Sequence, residues 1–512
     1  MEYELKGSEP REYQKAIAET ATKKNTLVVL PTGMGKTLIA VLVGLKRLNE
    51  YPESKILIVS PTRPLSAQHK KSFEEFTSIN PDEIILLTGK IRPEDRIELY
   101  KRSKVIVATP QTIENDLIND RLNLENFSFL TVDECHRSVK NYSYPMIAKK
   151  YMLQSKYPLI LGLTASPGGT HEKIDEIRSN LFIKAVEIRT EEDIDVEKYV
   201  QPVQREFVYV DFPEDFKKIK ILLEEILKDD LYWLREHHYT FTYKPTKTML
   251  LAVQKRVIES YTRSKNYGAF WAIMRVAGAI KIEHAIELLE TQGIKFLYEF
   301  LKKIEKSKKK TDTRLTKNPR MGEAIKITED LYTRGIEHPK LEKIIDLIKN
   351  LLKDKPNTKV IVFANFRLTV DRINELLRKN GIKSEILIGQ AIKEGKGLTQ
   401  EQQIEILKKF ANNEFSVLCG TQVSEEGLDV GGGIDIAIFY EPIPSEIRTI
   451  QRRGRVGRQI TGRVIFLITK GTRDEAYYWA SFHKEKKMKG ILYDMKDKTN
   501  LDKKETLLDW TK

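Results

Sequence analysis

Short apolar runs alternate with amphipathic stretches through the first 190 residues. Thr26–Leu30, Lys55–Ser60, Glu83–Thr88, Val105–Thr109, Phe129–Val132 and Leu159–Thr164 are runs of strand length. Between them, segments such as Gly35–Asn49 and Leu65–Phe76 carry apolar residues at helical spacing. Buried runs separated by helices predict a mostly parallel sheet covered on both faces. Loops at the carboxyl ends of such strands are where ligands bind.

The rhythm changes over residues 196–335. Glu214–Leu234 is a long helical pattern with apolar positions Phe216, Ile219, Ile221, Leu222, Leu223, Ile226, Leu227 and Leu231. Lys247–Arg263, Gly268–Gln292 and Gly293–Ile304 also favour helix, which predicts an inserted, mainly helical domain. The pattern resets at His338-Pro339-Lys340. Leu341–Leu352 is amphipathic, and strand-length runs recur at Lys359–Ala364, Val417–Gly420, Ile434–Tyr440 and Arg463–Ile468. They predict a second α/β domain without a phosphate loop of its own. Arg473–Met488 reads as a helix whose Tyr477, Tyr478 and Trp479 form a docking face, and the polar residues after it are expected to fray. The division expected is 1–200, first α/β domain; 201–335, helical insertion; 336–490, second α/β domain; and 491–512, polar tail.

Composition narrows the class. The 512 residues are 40% hydrophobic and 31% charged, with a formal net charge of +14. The calculated pI near 9.2 favours acidic partners, nucleic acid above all. Two cysteines, Cys135 and Cys419, supply neither a disulfide framework nor a zinc site alone. A charged start without an apolar signal segment, and no apolar run of spanning length, predict an intracellular, cytoplasmic protein off the membrane. Leu301–Arg320 holds nine Lys/Arg against two acidic residues. That stretch reads either as a solvated helix end or as a nucleic-acid face. Tyr232, Trp233, Tyr239, Phe241 and Tyr243 can stack on bases, but packing is their commoner use.

The chemistry concentrates in three places. Leu27 to Leu30 runs into Pro31-Thr32-Gly33-Met34-Gly35-Lys36-Thr37 and then a helix. Strand, glycine turn, Lys-Thr and helix form a triphosphate site. Glycines let backbone N–H groups wrap phosphates, Lys36 reaches the β/γ-phosphates, and Thr37 holds Mg²⁺. Leu30 stands where the general phosphate-loop rule asks for glycine. Asp133-Glu134-Cys135-His136 follows an apolar strand; Asp133 suits the metal and Glu134 suits the attacking water. Gln451–Arg458 carries four arginines in eight residues. It reads as a basic surface loop or as arginines aimed from one α/β domain at the nucleotide of the other.

In order and spacing these segments resemble the superfamily 2 helicases over almost the whole chain. Pro31–Thr37 resembles motif I, where a non-glycine start is common. Arg11-Glu12-Tyr13-Gln14 resembles the adenine-reading motif. Ser60–Leu65 resembles motif Ia, Ala108–Thr112 motif Ib, Asp133–His136 a DECH motif II, and Leu163–Pro167 motif III. Val362–Arg367 resembles motif IV, Thr421–Val430 motif V, and Gln451–Arg458 motif VI. The DECH box, Glu425–Asp429 and the helical insertion resemble in particular the archaeal Hef and Fanconi anaemia M family.

The resemblance implies two tandem RecA-like parallel-sheet motor domains with an inserted, thumb-like helical domain that engages branched DNA. It implies an ATP-dependent, nucleic-acid-stimulated DNA helicase or translocase acting on forked and branched DNA in fork repair. ATP and Mg²⁺ are the implied cofactors, bound by Arg11, Gln14, Thr32, Gly33, Gly35, Lys36, Thr37, Gly427 and Asp429, with Thr37 and Asp133 on the metal. Lys36, Asp133, Glu134 and Gln451 serve catalysis with Arg455 and Arg458 as arginine fingers, and His136 and Gln451 are expected to face each other. Thr62, Arg63, Thr109, Arg367 and Thr421 are the implied phosphate grips. Forked or branched DNA, a nuclease module and replication or repair proteins are the implied partners, although residues after 490 leave no room for such a nuclease. The rival is a double-stranded-RNA-activated ATPase of the RIG-I or Dicer motor type.

Overall fold

The computed structural model describes residues 2–199, 203–240, 242, 246–264, 267–389, 397–421, 433–442 and 462–508. The first sheet contains β1 (Thr26–Val29), β2 (Lys55–Val59), β3 (Ile84–Leu87), β4 (Val105–Ala108), β5 (Phe127–Asp133), β6 (Ile160–Thr164) and β7 (Ala185–Ile188). Among the described residues it is seven-stranded and parallel, in the order β3-β4-β2-β5-β6-β1-β7. Its strands are buried on both faces, so they read as continuous apolar runs. Helices Glu12–Lys23, Lys36–Glu50 and Arg63–Phe76 cover one face, with Tyr13, Ile39 and Phe73 fully buried there.

The second sheet combines β8 (Val203–Val210), β9 (Val360–Phe363), β10 (Ser384–Leu387), β11 (Val417–Gly420), β12 (Ile436–Phe439) and β13 (Gly462–Thr469), in the order β10-β11-β9-β12-β13-β8. Two RecA-like parallel-sheet domains therefore flank a helical bundle. The first residues assigned to the insertion belong elsewhere: β8 runs parallel to β13 over eight paired residues and closes the edge of the second sheet. The partner strand lies about 260 residues downstream, beyond the reach of a local pattern.

The insertion is a bundle of helices Glu214–Glu236, Lys247–Ser264, Tyr267–Thr291, Ile294–Glu305, Lys310–Thr316 and Pro319–Thr333. Its basic stretch is partly spent on internal pairs: Arg314 with Asp230, Arg320 with Glu225 and Asp229, and Lys302 with Glu305 and Glu329. Lys303, Lys306, Lys308, Lys309 and Lys317 remain exposed. Trp233 stacks on His237 with ring centroids 3.9 Å apart, a packing role; Phe241 and Tyr243 lie outside the described residues.

Buried polar contacts seat the insertion on the second domain. Gln292 donates to Glu441 (2.6 Å) and accepts from Thr369, while Glu441 also accepts the Asn365 backbone N–H (2.7 Å). Lys340, wholly buried, pairs with Asp474 and donates to the Tyr440 carbonyl at 2.9 Å. His338 donates from Nε2 to the Glu290 carbonyl (3.0 Å), and its Nδ1 accepts the Lys340 N–H (3.2 Å). Burial and the nearby Lys340 lower the His338 pKa to about 3. Burial raises that of Glu441 to about 7.

The polar end of the chain does not fray at residue 489. One helix spans Arg473–Leu508. It leaves the second domain beside Asp474 and crosses to the first, where Met488, Ile491 and Leu492 join the core with Val29, Ala165 and Ile188. Those residues and Met495 stand at i, i+3, i+4 and i+7, a narrow apolar stripe in the charged stretch that follows the aromatic Tyr477–Phe482 part of the helix. Tyr493 donates to Asp193 (2.7 Å), and Ser166 donates to Met488 Sδ (3.0 Å).

Candidate nucleotide and nucleic-acid site

β1 ends beneath a loop whose Gly33 and Gly35 have φ of +87° and +71°. Gly35 is the residue on which helix Lys36–Glu50 starts. A side chain there would need a left-handed backbone and would collide with the Gln14 amide. Leu30, at the position where glycine is usual, is fully buried and bonds through its N–H to the Thr164 carbonyl at 3.1 Å. The loop thus rests on an apolar anchor tied to β6.

Residues far apart in sequence line one cavity: Arg11, Gln14, Thr32, Gly33, Gly35, Lys36, Thr37, Asp133 and Glu134. Gln14 is 2% exposed and donates to the carbonyls of Met34 (3.3 Å) and Gly35 (3.4 Å) while accepting the Arg11 N–H (2.9 Å). Its amide therefore clamps the N-terminal segment to the phosphate loop. Tyr13 adds a bond from its hydroxyl to the Met34 carbonyl at 2.8 Å. The Arg11 guanidinium lies 4.8 Å from the Tyr199 ring centroid, a cation–π contact. Lys36 Nζ donates to the carbonyls of Leu30 (2.9 Å) and Pro31 (3.3 Å).

The acidic half lies at the end of β5. Asp133 Oδ1 accepts the Glu134 N–H (2.9 Å), and Oδ2 is 2.9 Å from His69 Nε2. Glu134 sits in the left-handed region at φ +48°. Such a conformation costs about 1–3 kcal/mol in a residue with a side chain, so its surroundings must fix it. The Asp133 bond does so on one side, and the Tyr144 hydroxyl holds the Asp133 carbonyl at 2.7 Å. His136 Nδ1 lies 3.2 Å from Glu134 and 3.1 Å from Thr164 Oγ1. Cys135 is fully buried; burial first, then Glu134 and Asp133, push its thiol pKa well up, which suppresses thiolate reactivity.

This donor set fits a magnesium nucleoside triphosphate. Thr37 and Asp133 offer hard oxygens, Lys36 offers an ammonium, and the glycine loop offers backbone N–H groups at a helix start. Glu134 shares the same wall.

The grip candidates follow carboxyl ends of strands. Thr62 caps helix Arg63–Phe76, and Thr109 precedes helix Pro110–Ile118 with its hydroxyl 2.8 Å from that of Thr112. Arg63 Nε is buried without a hydrogen-bond partner. In the second domain Thr421 is buried after β11, and Arg367 opens helix Arg367–Lys379 with Nη2 3.1 Å from the Gly389 carbonyl. Gly427, Asp429, Gln451, Arg455 and Arg458 lie outside the described residues.

His69 and Tyr199 escaped the sequence reading, and Tyr13 entered it only as a member of the Arg11–Gln14 motif, without a role of its own. One signal for His69 existed: Ser66, His69 and Phe73 share the buried stripe of their helix.

Three family profiles match the chain: "DEAD/DEAH box helicase" over residues 11–174, "Putative ATP-dependent RNA helicase, helical bundle" over 215–329, and "Helicase conserved C-terminal domain" over 339–459. The last includes the positions of Gly427, Asp429, Gln451, Arg455 and Arg458. The crystal structure of the Pyrococcus furiosus Hef helicase domain superposes with a TM-score of 0.73 at 44% identity, over 92% of this chain and 98% of that one. The chain belongs to the superfamily 2 DECH-box helicases of the Hef and Fanconi anaemia M family. It carries both halves of an ATP-hydrolysing helicase motor. A Methanocaldococcus jannaschii protein, putative ATP-dependent RNA helicase MJ1505, is 43% identical over 95% of this chain. The Schizosaccharomyces pombe ATP-dependent DNA helicase fml1 is 31% identical over 91% of it, and Arabidopsis thaliana DEAD-box ATP-dependent RNA helicase FANCM 33% over 93%. The chain spans 61%, 57% and 36% of those three relatives. Among the described residues, no helix is long and apolar enough to cross a membrane.

Proposed function

We propose that this chain is a nucleic-acid-stimulated ATPase that unwinds or remodels forked and branched DNA. The observation that carries the reading is the single cavity that gathers all nine first-domain nucleotide candidates. It lies beside the helix that begins with Thr62 and Arg63. Lys36 and the loop N–H groups bind the β- and γ-phosphates, and Gln14 with Arg11 lies toward the base. Thr37 and Asp133 hold Mg²⁺, which neutralises charge on the phosphate oxygens when bound. Glu134 orients and deprotonates the attacking water. Arg455 and Arg458 enter from the second domain, so hydrolysis requires closure and closure moves the grips. Gly427, Asp429 and Gln451 complete that side. Thr62, Arg63, Thr109, Arg367 and Thr421 hold the phosphate backbone without reading sequence. The protein works inside the cell at the chromosome, alongside replication or repair proteins or a nuclease module.

The exposed lysines of the insertion favour a duplex arm as its ligand. Replacing Lys306, Lys308 and Lys309 together by Glu should weaken fork binding and flatten its salt dependence, since each lost phosphate contact lowers the log–log salt slope by about 0.9. Binding by the triple variant with the wild-type slope would remove the insertion from the DNA interface.

A second reading has specific support, because the names of the Methanocaldococcus and Arabidopsis relatives say RNA helicase. ATPase stimulation by forked DNA and by matched double-stranded RNA separates the two. Stronger stimulation by RNA would overturn the DNA assignment.

A further inference from the structure

We propose that His69 is a positioning residue that ties the metal carboxylate Asp133 to the nucleic-acid grip at the start of its own helix. This rests on the functional reading above only for the grip; the bond itself is geometric. His69 and Asp133 are 3% and 5% exposed, and Nε2 stands 2.9 Å from Oδ2. A carboxylate oxygen accepts, so Nε2 carries the proton. His69 Nδ1 is buried without a hydrogen-bond partner, leaving the Asp133 bond as the polar contact that fixes the ring. The other carboxylate oxygen is held by the Glu134 N–H, so both oxygens of Asp133 have a fixed direction.

The helix that carries His69 is well placed to report on its own N-terminus. Arg63–Phe76 is capped by Thr62, and the Ser66 hydroxyl lies 2.6 Å from that of Ser60 at the end of β2. Its packed residues are Ser66, His69 and Phe73. From Thr62 to His69 is about two turns, roughly 10 Å along a rigid rod. A force on Thr62 or Arg63 shifts the rod, and His69 is where the rod touches the metal site. Outer partners of metal ligands orient them, and their loss typically costs about 10–100-fold in metal affinity.

The test compares wild type, His69→Ala and His69→Gln. Gln keeps an N–H donor at similar reach. Binding of a non-hydrolysable ATP analogue is titrated against Mg²⁺ by calorimetry without nucleic acid, and ATP turnover is then measured with and without forked DNA. For H69A the Mg²⁺ concentration for half-maximal analogue binding should rise about 10-fold or more, with metal-free analogue binding unchanged. H69Q should recover most of that shift. DNA stimulation should fall in H69A and return in H69Q. A wild-type Mg²⁺ requirement in H69A would overturn the proposal, as would H69Q matching H69A while melting at the wild-type temperature. If the wild type itself shows no stimulation by DNA, the functional reading fails, and the Mg²⁺ titration still judges His69.

Discussion

Leu492 offers a direct measure of the helix that straps the two motor domains together. It is fully buried, with Met488 and Ile491 at 2% and 5% exposure, in the core of the first domain. Complete burial of an apolar side chain contributes about 1.5–3 kcal/mol. The three anchors therefore hold the helix with roughly 5–9 kcal/mol before the entropy of ordering is counted. Leu492→Ala removes one anchor and leaves a cavity, at an expected cost of about 2–5 kcal/mol. Two assays read it: urea unfolding, and limited proteolysis over the lysine-rich segment 484–496. The variant should unfold at lower urea and be cut there before any global transition, because the strap detaches first. The second domain should keep its wild-type unfolding step, since Asp474 and Lys340 hold the helix start independently. Unfolding within ~0.5 kcal/mol of wild type, with unchanged protection of 484–496, would refute the docked strap; changes of that size are typical of surface sites.

Lys36→Ala should lower ATP turnover about 100-fold or more in a phosphate-release assay, with unfolding unchanged, because its charge acts on the transferring phosphate. The pair His338 and Glu441 should give opposing pH effects on urea stability. The depressed His338 pKa of about 3 means its stabilisation is present above the unfolded value and lost as pH falls. The raised Glu441 pKa of about 7 means its contribution is present below the unfolded value and lost as pH rises toward 7. Each should change stability by about 2 kcal/mol between roughly pH 7.5 and pH 5, in opposite directions. Relative to wild type, Glu441→Gln should therefore lose stability toward pH 5 and His338→Asn should gain it; parallel pH curves for wild type and both variants would contradict the assignment.

What the residues determined by themselves is local. A phosphate loop is a contiguous segment, so Gly33, Gly35, Lys36 and Thr37 announce it. A metal carboxylate at a strand end, Asp133, is legible because the preceding run is apolar. Helices Glu214–Glu236 and Ile294–Glu305 follow from a strong 3.6-residue period. Tertiary structure decided what depends on distant partners. β8 becomes a strand of the second sheet because β13 supplies its hydrogen bonds across the whole insertion. Arg314 and Arg320 belong to the bundle because Asp230, Glu225 and Asp229 face them, which no charge count reveals. His69 meets Asp133 only when one helix packs across the end of β5. The charged end of the chain holds as helix because four apolar residues find a pocket in the other motor domain. Sequence period placed those residues on one face, and only folding supplied the surface that buries them.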